Sequence, residues 1–146
     1  MLNRKTARQL IRFGAGAVLG GLTLAVATAP AGNTAGPSFT RVQATFGQQV
    51  YTTSCQGCHG ANLQGVRGPA LVGQAFLNEW ANGKRPAAEL HAYIAEKMPR
   101  NKPASLTPAQ YRNVTAYVLS KNGYPAGNRS LSAATLKTPL VAPPAR

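Results

Sequence analysis

The chain has 146 residues, one domain's worth, with sixteen Lys and Arg against three acidic residues and a net charge of +13. That excess favours acidic partners or an anionic surface. Nucleic acid is disfavoured, because no nucleic-acid-binding motif is present and the N-terminus reads as an export signal.

Arg4, Lys5, Arg8 and Arg12 open the chain, and an apolar run follows from Phe13 to Ala29. Ala29-Pro30-Ala31 then offers a small-residue cleavage site. Residues 1–31 read as a Sec-like export signal, with neither a twin arginine nor a lipidation cysteine. The run is short for a membrane span and broken by glycines, so cleavage is expected rather than retention. Membrane contact is expected only if the segment is kept as an anchor. The expected compartment is the periplasm. About 115 residues then remain, enough for one small core, with a charge of about +9.

Residues 32–38 form a Gly/Pro/Asn/Thr linker, expected to be mobile. Thr40 and Gln43 read as a capping box, with Phe39 before them in the staple position. They predict a helix from Arg41 to Ser54 that puts Phe46 and Val50 on one line and Gly47 and Tyr51 on the next. A mid-helix Gly costs about 1 kcal/mol relative to Ala, so Gly47 suggests close approach by another element.

Both cysteines lie in Cys55-Gln56-Gly57-Cys58-His59, the C-x-x-C-H attachment pattern for c-type haem. Two thiols on one tight turn can each add to a vinyl group on the same porphyrin edge. The histidine that follows is then held beneath the iron. A Cys55–Cys58 disulfide, a redox pair and a zinc site with His91 as fourth ligand are the competing readings.

Glycines and Pro69 make residues 60–73 loop-like, and a short helix is expected over Gln74–Trp80. Pro86 is expected to open the next helix at its first position, with Leu90, Tyr93, Ile94 and the stem of Lys97 on one face. Pro99 ends it, leaving Met98 at the helix terminus, 39 residues after His59. Met98 is the only methionine besides Met1, and its charged company is poor for a core position. It is therefore the candidate sixth ligand, with His91 as rival. The last helix has Thr107 as N-cap, Pro108 at its first position and Gln110 closing a capping box. Leu106 and Tyr111 form its staple pair. Tyr111, Val114, Tyr117 and Val118 make its buried stripe, and Gly123 stops it. No strand alternation is visible, so the class is all-α. The domain is expected over 39–123, with 124–146 a Pro/Ala/Ser/Leu tail that wraps the domain or stays disordered.

Together these features resemble class I cytochrome c, the small bacterial monohaem kind, from about Phe39 to Gly123. The likeness rests on Gly47 and Tyr51, Cys55 to His59, Gly68-Pro69 with Leu71, Met98-Pro99, and Val114 with Tyr117. It implies a helical fold around one covalent haem c, with the first and last helices crossing at Gly47. It also implies that the Pro69 carbonyl accepts from Nδ1 of His59, that Leu71 packs on the porphyrin, and that His59 and Met98 ligate the iron. Trp80 resembles an aromatic that lies near the propionates.

The function so implied is electron transfer, with no small-molecule substrate at iron, between a dehydrogenase and a respiratory-chain acceptor. The chain is then a carrier rather than an enzyme. Lys84, Arg85, Lys97, Arg100 and Lys102 flank Met98 in sequence and are expected to guide an acidic redox partner. The alternatives are a ligand sensor or peroxidase-like protein with an open sixth site, or a module without haem.

Overall fold

The computed structural model describes residues 36–143, so the expected leader (1–31) and residues 32–35 of the linker lie outside it. The described residues belong to one packing unit, Gly32–Arg146. Among the described residues there are five helices: α1 Arg41–Ser54, α2 Gln56–His59, α3 Gln74–Trp80, α4 Ala87–Lys97 and α5 Pro108–Lys121. A 3-10 turn spans Thr135–Lys137.

Helices α1 and α5 begin where side-chain chemistry dictates. Thr40 Oγ1 accepts from Gln43 N and Thr107 Oγ1 accepts from Gln110 N, and both glutamines return the bond to the cap amide. Each pair satisfies two amides that the helix cannot. The two helices pack across Gly47, where a Cβ would run into the Asn113 carbonyl and Tyr117 Cβ. Beside the crossing, the Tyr51 and Tyr117 rings meet at 5.3 Å between centroids, tilted by 48°. The buried line of α1 is therefore Gly47 and Tyr51, while Phe46 on the adjacent line is 51% exposed. Along α5 the expected stripe Tyr111, Val114, Tyr117 and Val118 is buried. Thr115, Ala116 and Leu119 are buried too, because other elements cover α5 on more than one side.

Two expectations, both about α4, need correction. Pro86 is the N-cap of α4 rather than its first residue, and the first helical amide, Ala87 N, donates to Thr138 O at 2.9 Å. On the expected α4 face, Leu90 is buried, but Tyr93 and Lys97 are exposed. The otherwise all-α architecture contains a two-stranded antiparallel ribbon, β1 (Asn82–Pro86) paired with β2 (Pro139–Val141). Its strands, NGKRP and PLV, are short and carry Pro at their ends, so no alternation marks them.

The core also extends beyond Gly123. Tyr124, Leu131, Leu136 and Leu140 are buried in the same cluster as Phe39, Tyr51 and Val118. The tail is fastened by polar bonds as well. Gln43 Nε2 donates to Leu131 O, Leu131 N donates to Gln43 Oε1, and Gly127 N donates to Phe39 O. Ahead of α1, Gly36 and Pro37 are buried, so the end of the expected mobile linker is packed.

Candidate functional site

Helix α1 delivers the chain into the cysteine motif. Cys55 N donates to Tyr51 O, and Cys55 O in turn accepts from Cys58 N and His59 N, so the pentapeptide closes one tight turn. Tyr51 is buried, and its hydroxyl donates to Gly60 O at 2.6 Å, tying the far end of the motif back to α1. Burial, with Cys55 and Tyr117 beside it, pushes the Tyr51 phenol up to about 12, so it remains a donor at any physiological pH.

The loop after the motif folds around it. Val66, Arg67 and Gly68 amides all point at Cys58 O, at 3.2, 3.0 and 2.9 Å, and Gly65 N donates to His59 O. His59 is 7% exposed and its Nδ1 lies 2.8 Å from Pro69 O. A carbonyl can only accept, so Nδ1 carries the proton and the Nε2 lone pair is free to coordinate. The ring lies against Gly68, where a Cβ would come within 2.8 Å of Cε1. Leu71 follows, half-buried, held by its amide on Leu63 O and by Asn122 Nδ2 on its own carbonyl. The role of Asn122 was not legible in the sequence, since nothing local marks a C-cap residue as a tether for a loop 51 positions away.

Cys55 and Cys58 are free thiols, Cys58 exposed and Cys55 half-buried. Burial, with Cys58 adding to it, pushes the Cys55 thiol up to about 11. So little Cys55 thiolate at neutral pH makes Cys55 a poor attacking group for disulfide exchange. Among the described residues, no group of three or more His, Cys, Asp and Glu gathers to hold a metal ion, which disfavours zinc. His91 is half-buried with Nδ1 3.1 Å from Thr115 Oγ1. Thr115 donates its own proton to Tyr111 O, so it receives one from His91. Burial first, and Arg112 second, lower the His91 pKa.

Met98 is the C-cap of α4 and half-buried. Its amide donates to Ile94 O at 3.1 Å, and its carbonyl accepts from the Tyr111 hydroxyl at 2.9 Å. Arg100 and Lys102 beyond it are exposed, as are Lys97 and Lys84. Arg85 departs from that set. It pairs with Glu79 at 2.9 Å and Glu89 at 3.5 Å, and lies 5.2 Å above the Trp80 ring. Trp80 also packs against Tyr93 at 5.5 Å.

An oriented imidazole and two free thiols on the same turn suit a covalently held haem. Leu71, Val72, Leu77 and Ile94 pack on the core yet stay half-exposed, leaving apolar surface for a porphyrin to cover.

Residues 42–118 match the family described as Cytochrome C oxidase, cbb3-type, subunit III. The chain is 35% identical over 134 residues to the cytochrome bc1 complex cytochrome c subunit of Mycobacterium bovis, covering 83% of this chain and 46% of that protein. The protein of the same name from Mycobacterium leprae is 36% identical over 89 residues, 58% of this chain and 29% of the relative. The chain thus spans less than half the length of these curated relatives. Among solved structures, the sulfane dehydrogenase SoxCD of Paracoccus pantotrophus is similar with a TM-score of 0.48 and 22% identity, over 60% of this chain and 45% of that one.

Proposed function

The chain belongs to the c-type cytochromes, with covalent haem c and electron transfer as the family's business, and from that premise we propose a periplasmic single-electron carrier with His59 and Met98 as axial ligands. The haem iron supplies one-electron chemistry between its ferric and ferrous states. Cys55 and Cys58 are the thiols that bond the porphyrin. The observation that carries this reading is the 2.8 Å contact between His59 Nδ1 and Pro69 O, because it presents Nε2 in the neutral, metal-binding tautomer.

Each residue has a task within that scheme. Pro69 fixes the imidazole tautomer, and Gly68 leaves the ring room to lie flat against the loop. Leu71 supplies an apolar contact. Met98 supplies a thioether, which favours the ferrous state and raises the potential. If His59 and Met98 both hold the iron, no position would be left for a substrate, and the protein would be a carrier rather than an enzyme.

The partners follow from charge and likeness. Lys84, Lys97, Arg100 and Lys102 present positive charge, which suits an acidic redox protein. The mycobacterial relatives are named as subunits of the cytochrome bc1 complex. By that likeness this chain exchanges electrons with a respiratory complex on one side and a dehydrogenase on the other. Residues 1–31 would export it, and would hold it at the membrane only if retained.

Two measurements test the reading. A visible haem spectrum that survives acid–acetone extraction is expected from covalent attachment, and Cys55→Ser with Cys58→Ser should abolish it. Carbon monoxide should bind the reduced protein slowly and incompletely at neutral pH. Prompt, complete binding would mean an open sixth site, and so a sensor or peroxidase-like protein.

A further inference from the structure

Helices α4 and α5 are joined by residues 98–107, most of them exposed from Arg100 to Ser105. The joint is anchored at its base by one side chain. Tyr111, in the first turn of α5 and only 5% exposed, donates its hydroxyl proton to Met98 O at 2.9 Å. The same oxygen accepts from Leu106 N at 3.4 Å. One phenol thus bridges the first residue of the connection and the last but one. Inside the connection, one backbone bond closes a single turn, with Lys102 N donating to Pro99 O at 2.9 Å.

We propose that Tyr111 is a positioning residue for the sixth ligand, a latch that holds the Met98 backbone and sets how readily the thioether leaves the iron. The proposal rests on Met98 ligation, as argued above, and adds the element that governs its lability. The physical reason lies in what fixes Met98. Its amide is bound to α4 through Ile94 O, so helix α4 holds one side of the residue. Its carbonyl is bound to α5 through Tyr111, so the second helix holds the other. A backbone held on both sides leaves the side chain only its own torsions. With the hydroxyl removed, the carbonyl loses a buried partner and the connection can swing from the end of α4 without disturbing the ring packing of position 111. A net hydrogen bond of about 1 kcal/mol corresponds to roughly a fivefold change in an opening equilibrium.

The test uses the full-length ferric holoprotein and imidazole as the probe. The thioether–iron bond is followed by its far-red absorption band, ligand entry by stopped flow at saturating imidazole, and global stability by urea. Tyr111→Phe keeps the aromatic ring. The expected result is entry about three- to tenfold faster than in the wild type, with a weakened far-red band. Tyr124→Phe is the matched control, since Tyr124 is equally buried but its hydroxyl has no hydrogen-bond partner. It should leave both entry and band unchanged. Unchanged entry in Tyr111→Phe, whatever the urea midpoint does, overturns the latch while leaving Met98 ligation intact. A wild type without the far-red band that takes up carbon monoxide at once sinks the Met98 assignment, and the latch with it.

Discussion

At Gly47 the space between two helices admits a hydrogen and nothing larger, because the Asn113 carbonyl and Tyr117 Cβ occupy the position a methyl would need. Gly47→Ala should therefore destabilise the protein by about 1–3 kcal/mol or more, despite the better helix propensity of Ala. A lower urea midpoint with an unchanged slope checks it. Gly68→Ala places a methyl on the His59 ring and should alter the haem spectrum more than the urea midpoint, since the loop can shift more cheaply than the helix pair. His91 carries a pH dependence. Its folded pKa is lowered from 6.5 by burial and Arg112, so the folded state resists protonation while the unfolded chain does not. Its contribution is complete above the unfolded value and is lost as pH falls from about 6.5 through the folded value. His91→Gln should flatten that acid-side loss in urea midpoints measured from pH 7 to 4. At this scale the cysteine motif and Gly47 were legible in the sequence. The hydroxyl partners of Tyr51 and Tyr111 were not, because both residues read only as apolar positions on helix faces.

Among the elements, those with caps were the easiest to foresee. Thr40 with Gln43 and Thr107 with Gln110 mark helix starts through bonds only three residues apart, so the local sequence contains both partners. The tail from Tyr124 is the opposite case. Its buried residues Tyr124, Leu131, Leu136 and Leu140 follow no helical or strand period, and each is buried by residues distant in sequence. The tail nevertheless serves α4, since Thr138 O accepts the first amide of that helix and β2 pairs with β1 just before it. Leu140 is 0% exposed, and Leu140→Ala should cost about 2–5 kcal/mol. Measured by urea unfolding, an effect below about 1 kcal/mol would mean that the tail is dispensable to the core.

Over the whole molecule, sixteen basic residues face three acidic ones, and two of those three, Glu79 and Glu89, are engaged by Arg85. Glu96 lies 3.9 Å from Lys97, an exposed pair of little energetic weight. Positive charge therefore goes largely unneutralised, and long-range attraction to an anionic partner should speed encounter. Reversing Lys97 and Arg100 to Glu should lower the rate of reduction of ferricyanide severalfold at low salt, and the difference should shrink near 0.5 M salt as the Debye length falls to a few ångströms. Equal rates at low salt would remove the docking role of this flank.

The amino-acid sequence by itself determined the covalent chemistry, the starts of α1 and α5, and the family. Each of these depends on residues within a few positions of one another: C-x-x-C-H within five, the capping boxes within four. The tertiary structure alone decided which helix face is buried, that the tail completes the core and caps α4, and that Tyr111 grips Met98. Those contacts join residues 13 to more than 80 positions apart, and their partners become neighbours only after α1, α4 and α5 have packed.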